Sequence, residues 1–198
     1  MRERFGPDQR RAAAGEYESW IVEPNSCLAL VLLLDQLPRN LYRGSPRAFA
    51  CDADARRVAD RALRENHDQA VVPVRRQFFY LPFEHSEALA DQERSVALAK
   101  ALPKLPFKAN SVDYAERHRA IIARFGRFPH RNQVLGRDST PGGGAFPEAA
   151  GLVVLGSVRS RLGGSGLRGN AEIARPAIAV EIGRQQQFER GRRDAQFR

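Results

Sequence analysis

Hydrophobic positions recur at three- and four-residue spacing through the first 125 residues, and nothing alternates with the period of two that a strand needs. Residues 5–20 carry apolar or small side chains at helical spacing, with Gly15 as a weak point. Asn25 or Ser26 is placed to cap a helix over 27–37. Its Leu28, Leu30, Val31, Leu32, Leu33 and Leu34 are apolar almost all round, which predicts a central, buried helix. Pro38 lacks a backbone donor and predicts a kink or an end.

Ser45-Pro46 supplies a cap followed by proline at the first helical position. It predicts a helix running to about Asn66, with Ala48, Phe49, Ala55, Val58, Ala59 and Leu63 inward. Asp68 is placed to cap a helix over 71–80, with Pro73 tolerated in the first turn and Pro82 breaking or kinking it. Residues 86–102 read as the next helix, with Leu89, Val96 and Leu98 inward. After a proline-marked loop, Ser111 caps a helix over 112–125, and Gly126 suits its end. The expectation is an all-α domain over 1–140, built of consecutive antiparallel helix pairs.

Beyond residue 140 the pattern fails. Ser139-Thr140-Pro141 promises another helix start, but Gly142-Gly143-Gly144 cancels it. Eleven of the 16 glycines fall in this stretch. Residues 141–198 read as a Gly/Arg-rich tail, disordered or weakly helical.

The formal charge of +9 and pI near 10.5 invite a nucleic-acid reading. Nearly half of that charge sits in the tail, with 9 Arg against 5 acids, or +4. Nucleic acid is therefore expected as a partner only non-specifically, through the tail. Cys27 and Cys51 lie far apart with no partner motif, which argues against a disulfide scaffold or a CxxC zinc site. Both read as small buried residues of a reducing compartment. The charged N-terminus has no apolar stretch of a secretory signal, and the longest apolar run is too short for a bilayer. A cytoplasmic protein with no membrane partner is expected.

Three polar stretches stand out. In LDQLPRNLYRG (34–44), Asp35 and Arg39 are four apart and can pair, while Arg39, Asn40 and Arg43 can fork donors onto a carboxylate or phosphate. Asp35 and Gln36 end a buried run, where an isolated charge is costly and a partner is needed. In FFYLPFEHSE (78–87), Glu84, His85 and Glu87 can set up an acid-oriented histidine base. No second histidine stands at metal-ligand spacing, so no metal site is assigned. In RFGRFPHRNQVLGR (124–137), Arg127, His130, Arg131, Asn132 and Arg137 project from turns flanked by the anchors Phe125 and Phe128. Turn chemistry explains Gly126, Pro129, Asn132 and Gly136, but not three arginines and a histidine so close together. His118 shares an apolar helix face and reads as a satisfied core histidine; His67 looks incidental.

Together these stretches resemble bacterial domain-of-unknown-function family 924. The likeness is carried by LALVLLLDQLPRNLYRGSPRAFACD, FFYLPFEHSEALADQERSVAL and YAERHRAIIARFGRFPHRNQVLGRDST, and runs from Met1 to Thr140. The resemblance implies a tetratricopeptide-like fold with a concave face and supplies no reaction. It also implies departures at both ends: a missing N-terminal aromatic segment, and a tail that replaces an acidic helical close. A late start and a reading-frame shift near residue 141 are the expectation.

Two functions are expected from different classes. In the first, a binding module uses Arg39, Arg127, Arg131 and Arg137 to grip an anionic small molecule or acidic peptide. Asp35, Glu84 and Glu87 would hold those side chains. The alternative is a hydrolase-type enzyme with His85 or His130 as base, oriented by Glu84 or Glu87, with or without a divalent metal. The sequence assigns no cofactor.

Overall fold

A computed structural model describes residues 2–139, and within them every regular element is helical. The expectations for residues 141–198 lie outside the described residues. The α-helices are α1 (Arg2–Ala13), α2 (Pro24–Leu34), α3 (Gln36–Leu41), α4 (Asp52–Arg64), α5 (His67–Ala70), α6 (Pro73–Glu84), α7 (Leu89–Ala101) and α8 (Lys108–Phe125). Short 3-10 turns cover Glu18–Val22, Pro46–Ala48 and Pro129–Arg131.

Helix α2 is the axis of the core, and residues 26 through 34 are all buried. α1, α4, α5 and α6 pack around it, α7 lies against α6, and α8 against α7. From Ser26 onward no side of α2 is left for water, as the all-round apolar run requires. Ser26 caps nothing through its oxygen as an acceptor. Instead its hydroxyl donates to the carbonyls of Trp20 (2.8 Å) and Glu23 (3.1 Å), which satisfies a polar group inside the core.

Proline and glycine account for most of the revised boundaries. Pro38 has no N–H to return to the carbonyl of Leu34, and the chain resets three residues earlier, at Asp35. Pro38 is then the third residue of α3. The first helix stops at Ala13, because Gly15 takes a left-handed φ of 80° that ends a helix readily. Ser45-Pro46 does start a helical turn, with Ser45 accepting from the Arg47 N–H, but it is one 3-10 turn and α4 begins only at Asp52. Pro82 does not break α6, which runs on to Glu84. Leu89 was expected inward and is 43% exposed, because α7 starts there rather than at Ser86. α8 starts before Ser111, so Ser111 is not its cap, and Gly126 closes it at φ 67°. His67 is not incidental: it is buried, with Nε2 3.0 Å from the Ile21 carbonyl.

Among the described residues, no helix is long and apolar enough to cross a membrane.

Candidate functional site

The three polar stretches meet where α2 breaks, where α6 ends and where the turn after α8 returns. Asp35, 1% exposed, sits at the break that Pro38 imposes. A bare carboxylate there would be costly, and three side chains serve it. His85 Nδ1 lies 2.8 Å from Asp35 Oδ1, and Gln36 Nε2 donates to Oδ2 at 2.6 Å. Arg39 Nη1 lies 3.3 Å from the same Oδ1 and donates to the Asp35 carbonyl. Burial alone would raise the Asp35 pKa, but the Arg39 charge and the hydrogen bonds from His85 and Gln36 outweigh it and hold Asp35 well below the usual carboxylate range.

An ionised Asp35 can only accept, so His85 Nδ1 carries the proton and Nε2 carries the lone pair. Nε2 makes no hydrogen bond among the described residues, and 14% of the His85 side chain stays exposed. Burial and the Arg39 charge lower the His85 pKa, which keeps the imidazole neutral near pH 7.

Asp52, the first residue of α4, was not singled out by sequence. It takes both guanidinium nitrogens of Arg39, at 2.8 and 3.0 Å, and lies 3.4 Å from Arg131 Nη1. Arg131 also donates to the His85 carbonyl at 3.0 Å, and its guanidinium lies between the rings of Phe49 (4.6 Å) and Phe128 (4.4 Å). Burial and the nearby Arg39 charge lower the Arg131 pKa to about 10. Two carboxylates thus balance two guanidinium groups. Asp52 closes the first of the stretches that carry the family resemblance, but nothing in its local pattern pairs it with Arg39, 13 positions back.

Glu84 is buried and faces a different partner: its Oε1 lies 3.3 Å from His118 Nδ1. Burial, then the Asp35 charge, pushes the Glu84 pKa up to about 8. His118 is a buried core histidine as expected, with Nδ1 2.8 Å from the Tyr114 carbonyl and its ring 5.5 Å from Phe128. Burial pushes its pKa down to about 3. Gln92, 0% exposed, donates to the carbonyls of Phe83, Glu84 and Ser86, closing the end of α6 that precedes His85.

Glu87 holds the outer edge. It takes both guanidinium nitrogens of Arg137, at 2.7 and 2.9 Å, and the Phe128 N–H at 2.8 Å. Asn132 is 2% exposed, and neither atom of its side-chain amide has a hydrogen-bond partner among the described residues. His130 is exposed, with its ring 5.5 Å from that of Phe128, and desolvation by its neighbours, then the Arg131 charge, pushes its pKa down to about 4. Asn40 is exposed and bonded to the Gln36 carbonyl; Arg43 is exposed. Of the four arginines expected to grip an anion, Arg39, Arg131 and Arg137 are engaged with carboxylates. Arg127 has no hydrogen-bond or ion-pair partner among the described residues.

No group of three or more His, Cys, Asp or Glu among the described residues is placed to hold a metal ion. A groove of about 790 Å³ at the α7–α8 connection is lined by Lys104, Leu105, Lys108 and Val112, and by none of the residues above.

The chain matches a family described as "Bacterial protein of unknown function (DUF924)" over residues 1–151. It is also similar to a solved structure, a protein of unknown function from Agrobacterium tumefaciens, at 45% identity. That likeness has a TM-score of 0.69 and covers 74% of this chain and 81% of the other. No curated protein matches.

Proposed function

The chain belongs to the DUF924 family of bacterial proteins, and from that premise we propose that it is a hydrolase-type enzyme with His85 as general base and Asp35 as its orienting carboxylate. The observation that carries this reading is the 2.8 Å bond from His85 to a buried, ionised Asp35, which leaves Nε2 basic and unbonded. A histidine so held can take a proton from water as it attacks an electrophilic carbon or phosphorus, and Asp35 stabilises the imidazolium that forms. Glu87 does not orient the base, since it holds Arg137 and Phe128. Glu84 faces His118 and supplies a neutral carboxyl next in sequence to the base.

The plainest alternative is that His85 only closes α6, whose last position it follows. Acylation by diethyl pyrocarbonate, which attacks a neutral unbonded imidazole nitrogen, separates the two. The expected result is that His85 is modified faster than His67 and His118. A His85 no more reactive than those buried rings would overturn the reading. A panel of carboxylic and phosphoric esters then identifies the substrate, with His85→Ala as the inactive control.

A second reading keeps the anionic small molecule or acidic peptide as a bound ligand, because Arg127 is half-buried and unpaired among the described residues. Arg127→Ala should then abolish the thermal stabilisation that a carboxylate or phosphate gives. Stabilisation unchanged by that substitution removes Arg127 from the ligand. The tetratricopeptide-like concave face belongs to this reading too.

A further inference from the structure

The His85 site is held from one direction by Asp35 and from two others by a residue that touches neither ring nor substrate. We infer that Asp52 is a positioning residue for His85, acting through Arg39 on the imidazole's carboxylate partner and through Arg131 on the imidazole's own backbone. The inference rests on His85 being the reactive group.

The argument is one of geometry. Arg39 is divided between two carboxylates, with one Nη on Asp35 at 3.3 Å and both on Asp52 at 2.8 and 3.0 Å. The two-pronged contact fixes the plane of the guanidinium, and so fixes the nitrogen that reaches Asp35. Arg131 shares Asp52 Oδ2 and uses its other Nη on the His85 carbonyl at 3.0 Å. Its guanidinium carbon also lies over the rings of Phe49 and Phe128, at 4.6 and 4.4 Å. Asp52 thus ties α4 to the α2–α3 break and to the last turn of the site, and both ties end on His85.

The groups that face the imidazole are Asp35 and Arg39 from that break, Asp52 from α4, His118 from α8, and His130 and Arg131 from the last turn. Asp52→Asn removes a carboxylate that raises the His85 pKa and frees the Arg39 charge that lowers it. It also loosens the bond from Nδ1 to Asp35. All three effects act in one direction, so the His85 midpoint falls.

The test is an NMR titration of the imidazole resonances of the full chain, with the diethyl pyrocarbonate rate measured alongside. Asp52→Asn is expected to lower the His85 midpoint by about half a pH unit or more and to speed exchange of the Nδ1 proton. Asp52→Glu, which can rebuild the fork, is expected to restore part of the shift. Asp60→Asn is the control, because Asp60 lies on the same helix and pairs with Arg64 and Arg94 at the surface. It should leave His85 unmoved.

If Asp52→Asn does not fold, Arg39→Lys replaces it: a cation stays beside Asp35 while the fork to Asp52 is lost, and faster exchange of the Nδ1 proton with a changed His85 midpoint is expected. A folded Asp52→Asn or Arg39→Lys protein whose His85 titrates and reacts as in the parent overturns the inference and leaves the proposed function standing. A His85 inert in the parent overturns the proposed function, whatever the titration shows.

Discussion

Two arginine–carboxylate forks stand in one site and differ mainly in how much water reaches them. Asp52 and Arg39 keep 14% and 7% of their side-chain surface, whereas Glu87 and Arg137 keep 26% each. The N–O distances are nearly the same, 2.8 and 3.0 Å inside against 2.7 and 2.9 Å outside. Distance therefore says little about what each fork is worth. The inner charges have lost most of their hydration and depend on each other, while the outer pair is still partly screened by solvent. Matching geometry can thus serve as a structural necessity in one place and as a small local bonus in another.

The hardest way to break the inner fork is Arg39→Ala, which leaves Asp35 and Asp52 without their shared cation. A loss of about 3–5 kcal/mol is expected in urea unfolding. A loss under about 1 kcal/mol would mean that the inner charges are as well hydrated as the outer ones. The pH dependence sharpens the same contrast, because the buried groups beside the inner fork are those that shift most. His118 titrates near 3 when folded against an ordinary 6.5, so the unfolded chain binds the proton first on acidification. Its contribution is complete above about pH 6.5 and is lost as pH falls toward 3. Glu84 runs the other way: raised from 4.5 to about 8, its contribution is complete below 4.5 and is lost as pH rises through 8. Glu84→Gln should flatten the alkaline fall in stability and leave the acid limb in place. An alkaline fall of unchanged steepness would remove Glu84 as its cause.

Gln92→Leu is a smaller break, stripping the side-chain donor from the last carbonyls of α6. About 1–3 kcal/mol is expected, with His85 more mobile by NMR relaxation. Glu87→Gln is the smallest, at about 1 kcal/mol or less and shrinking as salt is added. If it equals Arg39→Ala in cost, the comparison fails.

Much of the scaffold was legible because it depends on short-range rules. The all-round apolar run at 28–34 could only be a core helix, and Gly126 could only be a helix end. The Asp35–Arg39 pair follows from helical spacing alone. Boundaries failed where two prolines competed with packing: Pro38 acts upstream of itself, and Pro82 rides in the last turn of α6. At the candidate site, the three stretches that the sequence singles out meet, and Arg39, Arg131 and Arg137 are engaged with carboxylates that their local pattern does not show. A run of cations looks like an anion grip until the carboxylates that claim them are known. Asp52 answers Arg131 from 79 positions away, and no local pattern reveals such a pairing.

That same separation has a consequence for a chain emerging from the ribosome. The chain through the residue that follows α6 carries Asp35, Arg39, Asp52 and His85, and all of it is made before residue 131 exists. Until the final turn docks, nothing holds the His85 carbonyl from that side and Phe128 leaves the His118 ring uncovered. Synthesis therefore delivers the helical core first and assembles the imidazole's surroundings last. A chain stopped short of residue 131 would carry His85 and Asp35 without the Arg131 contact to the His85 carbonyl.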